Sequence, residues 1–277
     1  DEYEGPLALG SMIRELDPDR VSGRLIILPS ANFPAVMAGR RNSPVDEGNL
    51  NRSFPGSAGG APTARIAHYI ESVIVPMCDA WIDLHSGGAS LDSIPCVNVL
   101  MPESGTLQDE TKAMARAFGA PVVVIYDDIG GRRTSLATAL RHDIPSINTE
   151  MGGGGSVSIH GLRMCREGVR NVLAHLGVLR SDVRPTGAAA SPRFVRIEKA
   201  SYVYASDSGI FEPFRELGEA VEEGQLAGCV HFLHDPGREP ATVCFPLSGL
   251  LCMKRPPARV EPGDCVALVC SDVELNP

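Results

Sequence analysis

No stretch of this 277-residue chain approaches the about 18 consecutive apolar residues that a membrane-crossing helix needs. Basic charge is in short supply too: 25 Lys and Arg stand against 34 Asp and Glu, a formal net charge of −9. Neither nucleic acid nor a membrane is therefore an expected partner, because phosphate binding calls for a basic surface. A small anion remains a candidate ligand wherever arginines cluster. The eight cysteines contain no C-x-x-C pair, so a zinc ribbon has no support. Several lie in strand-like runs such as Cys265–Cys270, and buried, reduced thiols in a cytoplasmic protein are the expectation. Also missing are a G-x-S-x-G elbow, a G-x-x-x-x-G-K-[ST] phosphate loop and an H-E-x-x-H pair. Gly152–Gly155 does not complete G-x-G-x-x-G, because Val157 and Ser158 stand where its last glycine belongs.

What is present alternates between two periods. Leu9, Met12, Ile13 and Leu16 recur at helical spacing and predict a helix over residues 5–16. Ile66, Tyr69, Ile70, Val73 and Ile74 give a second helical stripe. Further helices are predicted around 107–118, at Leu136, Ala139 and Leu140, and from Leu162 to Leu176. Between them lie apolar runs that read as strands: 24–28 (RLIIL), 80–84, 94–101, 121–126 (PVVVIY) and 144–149. Apolar strands alternating with helices predict an α/β fold, a mainly parallel or mixed sheet with helices on both faces. Sites in such sheets gather beyond the carboxyl ends of the strands, where His85 and Glu150 fall.

Composition divides the chain into residues 1–180, a small-residue and proline-bearing linker over 181–192, and a β-rich module over 193–277. In the module, V-E-x-G occurs before a hydrophobic strand at Val221–Gly224 and at Val260–Gly263. The layout resembles the barrel-sandwich of biotinyl and lipoyl carriers. The expected hairpin tip, His234–Pro240, has no lysine, which argues for a packing or lid module and against a carrier.

Three segments carry polar residues that a buried sheet does not otherwise call for: Arg41 to Gly56, Asp83 to Gly88 (DLHSGG), and Asn148 to Gly155 (NTEMGGGG). Together with the opening DEYEGP they resemble, in order and approximate spacing, the motifs of the succinylglutamate desuccinylase and aspartoacylase family within the zinc carboxypeptidase superfamily. DEYEGP resembles the tail of the metal motif G-x-H-G-D/N-E-x-x-G. NLNRSFPG resembles the substrate-carboxylate motif, DLHSGG the third-ligand motif and TEMGGGG the catalytic-glutamate motif. The likeness extends over essentially the whole chain, and within the family it leans towards the N-alpha-acetyl-diaminobutyrate deacetylases.

The resemblance implies one Zn2+ per chain, held by Glu2 and His85, with Glu150 as the proton-transferring base and Arg41 stabilising the oxyanion. Asn51 and Arg52 would hold the substrate carboxylate, and Asp83 would orient a metal ligand. A further ligand would be the histidine two positions ahead of Asp1, so the expectation is that the natural chain continues upstream. The expected reaction is hydrolysis of a small N-acyl amino acid of the acetyl-diaminobutyrate, acetylaspartate or succinylglutamate type. Asp127 and Asp128 would suit a cationic side chain, Arg132 and Arg133 a second carboxylate. The rival readings are a metallocarboxypeptidase acting on peptide C-termini and a metal-free carboxylate-binding protein. Self-association is left open.

Overall fold

The computed structural model describes residues 1–102, 105–126, 132–179 and 191–273. Its α-helices are α1 (Glu4–Glu15), α2 (Phe33–Ala38), α3 (Pro62–Tyr69), α4 (Thr106–Phe118), α5 (Ser135–Arg141) and α6 (Ile159–His175). The strands of the first half are β1 (Trp81–Asp83), β2 (Asp92–Ser93), β3 (Cys96–Leu100), β4 (Val122–Tyr126) and β5 (Ser146–Glu150). The second half adds β6 (Arg193–Ile197), β7 (Tyr202–Tyr204), β8 (Gly209–Pro213), β9 (Ala220–Val221) and β10 (Leu226–His231). It closes with β11 (Ala241–Cys244), β12 (Gly249–Lys254), β13 (Arg259–Val260) and β14 (Cys265–Asp272).

The large sheet has the order β1-β5-β3-β4-β6-β14-β12-β2, and the smaller one β11-β10-β8-β13. β1 and β5 are parallel, with Asp83 beside Asn148. β3 runs antiparallel to β5, so Cys96 faces Glu150 and Asn98 faces Asn148. β4 is parallel to β3, and β6 to β4. The sheet then continues antiparallel through β14 and β12. It is therefore mixed, and it runs on through strands that follow the composition change near residue 180.

Residues in register share a sheet face, because side chains alternate along a strand. One face presents Ile147, Val97, Val99, Val123 and Ile125. These pack against Met12 of α1, Met114 and Phe118 of α4, and Val169 and Val172 of α6. The other face is not evenly helical, which corrects the expectation of helices on both sides. At the β1 end Trp81 meets Ala67 of α3 and Ala139 of α5. Around β4 and β6, by contrast, Val122, Val124 and Val195 are covered by Leu250, Cys252 and Leu268 of β12 and β14. Between these two covers lie Asp83, Asn148, Glu150 and Asn98.

The run 24–28 is a second correction. It is extended, and Leu25 and Ile27 pack on the α1–α6 core, yet it joins no ladder among the described residues. Apolar content alone does not make a strand; that takes a partner edge at hydrogen-bonding distance. The second helical stripe is helical throughout, α3 passing at Tyr69 directly into a π-helix at Ile70–Ile74; Ile70 and Ile74 are buried, while Tyr69 and Val73 are exposed. Both copies of V-E-x-G form the same corner. Val221 and Val260 each end a two-residue strand. Gly224 (φ 78°) and Gly263 (φ 90°) each turn left-handed, and the next strand begins two residues later. All eight cysteines are free; five are buried, as expected, but Cys244 is exposed and Cys78 and Cys265 are half-buried. No described helix is long and apolar enough to cross a membrane.

Candidate functional site

Alternation within three short strands places the polar groups. In Ser146–Glu150 (SINTE), Ile147 enters the helical core while Asn148 and Glu150 project to the other face. The same parity puts Asp83 of β1 and Asn98 of β3 beside them. His85 follows β1 by two residues. Its backbone is tied to β5, the N–H donating to Thr149 Oγ1 at 3.1 Å and Thr149 Oγ1 donating to its carbonyl at 3.1 Å.

His85 stands between two carboxylates. Its Nδ1 lies 2.7 Å from Glu2 Oε2 and its Nε2 2.9 Å from Asp83 Oδ2. Burial alone would depress the imidazole, but Asp83 and Glu2 outweigh it and hold His85 well above its ordinary pKa. Burial pushes the Glu2 carboxyl up, and the neighbouring His85 with the Ser86 N–H brings it below the usual range. That Ser86 N–H donates to Glu2 Oε2 at 3.2 Å. Asp83 is lowered on balance, against burial, by His85 and by the Ser135 hydroxyl that donates to it. The ring is thus fixed from behind by a carboxylate that is itself fixed, an arrangement that sets the tautomer of a metal-binding histidine.

Glu150 is the unbalanced member. Its Oε2 is buried without a hydrogen-bond partner. Burial first, and the charge of Glu2 second, raise its pKa to about 8, while His85 and Arg41 act the other way. Asn148 Oδ1 and Asp1 Oδ1 are likewise buried and unpartnered. A cluster of carboxylates with orphaned oxygens is short of positive charge. The donor types also suit zinc, which takes histidine nitrogen and carboxylate oxygen. Glu2 and His85 already converge and would supply two of its donors; a third protein donor is not found among the described residues.

Arg40, Arg41 and Arg52 also line the cavity. Arg40 already has a partner, its Nη2 lying 2.9 Å from Glu47 Oε2. Arg52 lies close enough to Arg41 for the two charges to oppose each other, and burial together with that repulsion lowers its pKa. Two guanidinium groups held near each other make a receptor for an anion. Asn51 lines the cavity with Arg52. Its Oδ1 accepts the Ser135 N–H at 2.8 Å and its Nδ2 sits 3.2 Å from His85 Nε2. It bridges the 50–52 turn, α5 and His85, so its oxygen is already committed.

The cavity holding these groups has a volume of about 900 Å³. Tyr126, Tyr202, Met253 and Leu268 contribute to its wall, so strands from the second half of the chain reach the site. Its far part runs between β1 and the extended 24–28 segment and is apolar, lined by Leu25, Ile27 and Ile82. Asp127 and Asp128 lie outside the described residues. Tyr126, which precedes them, pairs with Leu100, at the opposite end of β3 from Cys96 and Glu150. β4 and β5 therefore end at opposite edges of the sheet, because β5 is reversed relative to β3 and β4. Arg132 and Arg133 do not line the cavity, which is bordered there by Thr134 and Ser135.

Two residues of this region escaped the sequence reading. Glu4 is fully buried and clamps two loops: Oε2 accepts the Ser86 hydroxyl at 2.7 Å and Oε1 the Ser158 N–H at 2.8 Å. Nothing in a four-residue acidic opening distinguishes it from a solvated carboxylate. Asn98, also fully buried, leaves Nδ2 without a partner on the site's face. Its signal was there: one amide inside the run CVNVL.

The chain is similar to known proteins over nearly its whole length. The model of the succinylglutamate desuccinylase/aspartoacylase catalytic domain matches residues 1–176. An N-alpha-acetyl-L-2,4-diaminobutyric acid deacetylase from Halomonas elongata is 36% identical over 276 residues, covering 99% of this chain and 80% of the relative. A succinylglutamate desuccinylase/aspartoacylase structure from Rhodobacter sphaeroides is similar at TM-score 0.92 and 39% identity, covering 99% of this chain and 82% of the other. The product-bound ectoine utilization protein EutE (DoeB) from Ruegeria pomeroyi gives TM-score 0.91 and 35% identity, with coverages of 98% and 82%.

Proposed function

The chain belongs to the succinylglutamate desuccinylase/aspartoacylase family, and from that premise we propose that it is a zinc-dependent amidohydrolase removing the acyl group of a small N-acyl amino acid. The observation that carries this reading is the buried Glu150 carboxyl with its unpartnered Oε2, beside the converging pair Glu2 and His85. N-acetyl-diaminobutyrate is the first substrate to test, given the curated relative.

Zinc held by Glu2 and His85 would supply Lewis-acid activation of the attacking water. A cation there would offset the burial and the Glu2 charge that raise the Glu150 pKa to about 8, and the ionised Glu150 would accept a proton from the attacking water at Oε2 and deliver it to the departing amine, as the amide C–N bond breaks to a carboxylic acid and a free amino acid. Arg41 meets the negative charge that develops on the acyl oxygen. Arg52 holds the substrate carboxylate, and its repulsion from Arg41 is relieved when an anion arrives. Asp83 keeps the His85 ring in place. We assign the division into residues 1–180, 181–192 and 193–277, with the last as a β-rich module that narrows the cleft through Tyr202, Met253 and Leu268.

The test is metal analysis of the expressed protein combined with a panel of acetylated and succinylated amino acids and short peptides. Zinc bound in the cleft, lost on His85→Ala, with release of free amino acid from acylated monomers, is the expected result. Faster release of C-terminal residues from peptides would transfer the protein to the carboxypeptidases. Tight carboxylate binding with neither metal nor turnover would leave it a binding protein.

A further inference from the structure

The smaller sheet carries a second set of metal-type donors, and none of its strands lines the cavity. Cys229 and His231 are alternate residues of β10 and so project on one face. Glu212 of β8 pairs directly with Cys229 across the antiparallel ladder, which brings it onto that same face. The intervening residues, Val230 and Phe211, go the other way and are buried in the core with Val243 and Val260. Strand register alone therefore delivers three donors of different chemistry to one spot.

Their atoms converge. His231 Nε2 is 2.7 Å from Glu212 Oε2. Cys229 Sγ is 3.3 Å from the same nitrogen and 3.6 Å from the same oxygen. A tetrahedral zinc, with bonds of about 2.3 Å to sulfur and about 2.0–2.1 Å to nitrogen and oxygen, sets edges of roughly 3.3–3.6 Å between its ligands. Two of the three edges are already near those lengths. Only the His231–Glu212 edge has to open, by about half an ångström, which a side-chain rotation supplies without moving the ladder. A surface His–Glu ion pair needs no third partner, yet here a sulfur sits against both members. Among the described residues this is the one group of three His, Cys, Asp or Glu side chains whose donor atoms all lie within 4.8 Å of one another. In the cleft, by contrast, Glu2 and Asp83 meet different nitrogens of His85.

We infer that Glu212, Cys229 and His231 form a metal site on the smaller sheet that binds a borderline-soft divalent cation of the Zn2+ class, with solvent in the fourth position. The chemistry of the set selects the ion: thiolate excludes Mg2+ and Ca2+, which want oxygen, and imidazole with thiolate favours zinc and its transition-metal neighbours. Cys229 is 7% exposed, so its sulfur is shielded. The Glu212 and His231 side chains are 56% and 41% exposed, which leaves an entry path and room for water. A bound ion would cross-link β8 to β10 and so brace the sheet against local opening.

The experiment is a cobalt(II) titration of the full-length chain after chelation. A cysteine ligand gives a near-ultraviolet thiolate-to-cobalt absorption. This band is expected to saturate at one equivalent in His85→Ala, where the cleft does not compete for cobalt, to vanish in Cys229→Ser, and to need at least tenfold more cobalt in His231→Gln and in Glu212→Gln. His231 and Glu212 are exposed, so those variants test the site without disturbing a core. The band is expected to persist in His85→Ala, which separates this site from the proposed catalytic one. Absence of the band in the unaltered chain overturns the inference, as does a band that Cys229→Ser leaves in place or that both exposed variants leave unshifted.

Discussion

Burial raises the Glu150 carboxyl more than His85 and Arg41 lower it, and this has consequences that can be measured apart from activity. In the metal-free chain its pKa is raised from 4.5 to about 8. Between those values the folded state keeps a proton that the unfolded chain releases, so stability falls as pH rises through the interval. The slope from one such group is at most about 1.4 kcal/mol per pH unit. Chelated protein should therefore lose more thermal stability between pH 5.5 and 8 than chelated Glu150→Gln, and parallel melting curves for the two would contradict the assignment. With metal supplied, Glu150→Gln should lower kcat by about 10²- to 10⁴-fold, the usual contribution of a positioned acid–base group, while zinc content stays unchanged. The residues proposed to carry this chemistry were legible from two signals: Asp83 is the one polar residue of the strand WID, and Glu150 ends its strand just before four glycines. Glu4 was not legible, because its burial comes from the Ser86 and Ser158 loops that fold over it and from nothing in its own neighbourhood in sequence.

At the scale of elements, glycine shows how contact overrides propensity. Gly161 lies in the first turn of α6, where alanine is the better helix former by about 1 kcal/mol. A Cβ there, however, would stand 1.9 Å from the carbonyl oxygen of Met151, which is held in the chain just after β5. Gly10 in α1 has open space, its nearest neighbour being Arg14 Nη1 at 3.6 Å. Gly161→Ala should then destabilise by about 1–3 kcal/mol, as overpacking does, while Gly10→Ala should stabilise by up to about 1 kcal/mol. Denaturant titration of both variants decides this, and equal signs would refute it. Helices α4 and α6 were readable from periodicity, since each buries the face its pattern marks, and β3 and β4 from apolar runs that the fold buries on both faces. The 24–28 run and the direction of β5 were not, because pairing is decided by which edge lies alongside, and a strand's sequence does not encode its neighbour's direction.

For the whole molecule the two halves share one sheet. β6 pairs with β4, and β14 and β12 close over Val122, Val124 and Cys96. A chain ending at residue 179 would leave β4 as an open edge with that apolar face uncovered. Such a fragment should aggregate or lose cooperative unfolding, whereas a soluble fragment with a sharp transition would show that the first half folds independently. The composition change near residue 180 marks a change of local pattern, from helical period to short strands. It does not tell how the later strands dock, so Tyr202, Met253 and Leu268 could not be placed at the cleft from sequence.

The proposed reacting and selecting groups have different supports. Asp83, Asn148 and Glu150 are anchored in ladder register, whereas Arg41, Asn51 and Arg52 arrive on connecting segments. On the proposed roles, insertions or deletions in those segments would retune which compound is admitted while Asp83 and Glu150 keep their spacing, so new specificities would be within reach of loop length alone.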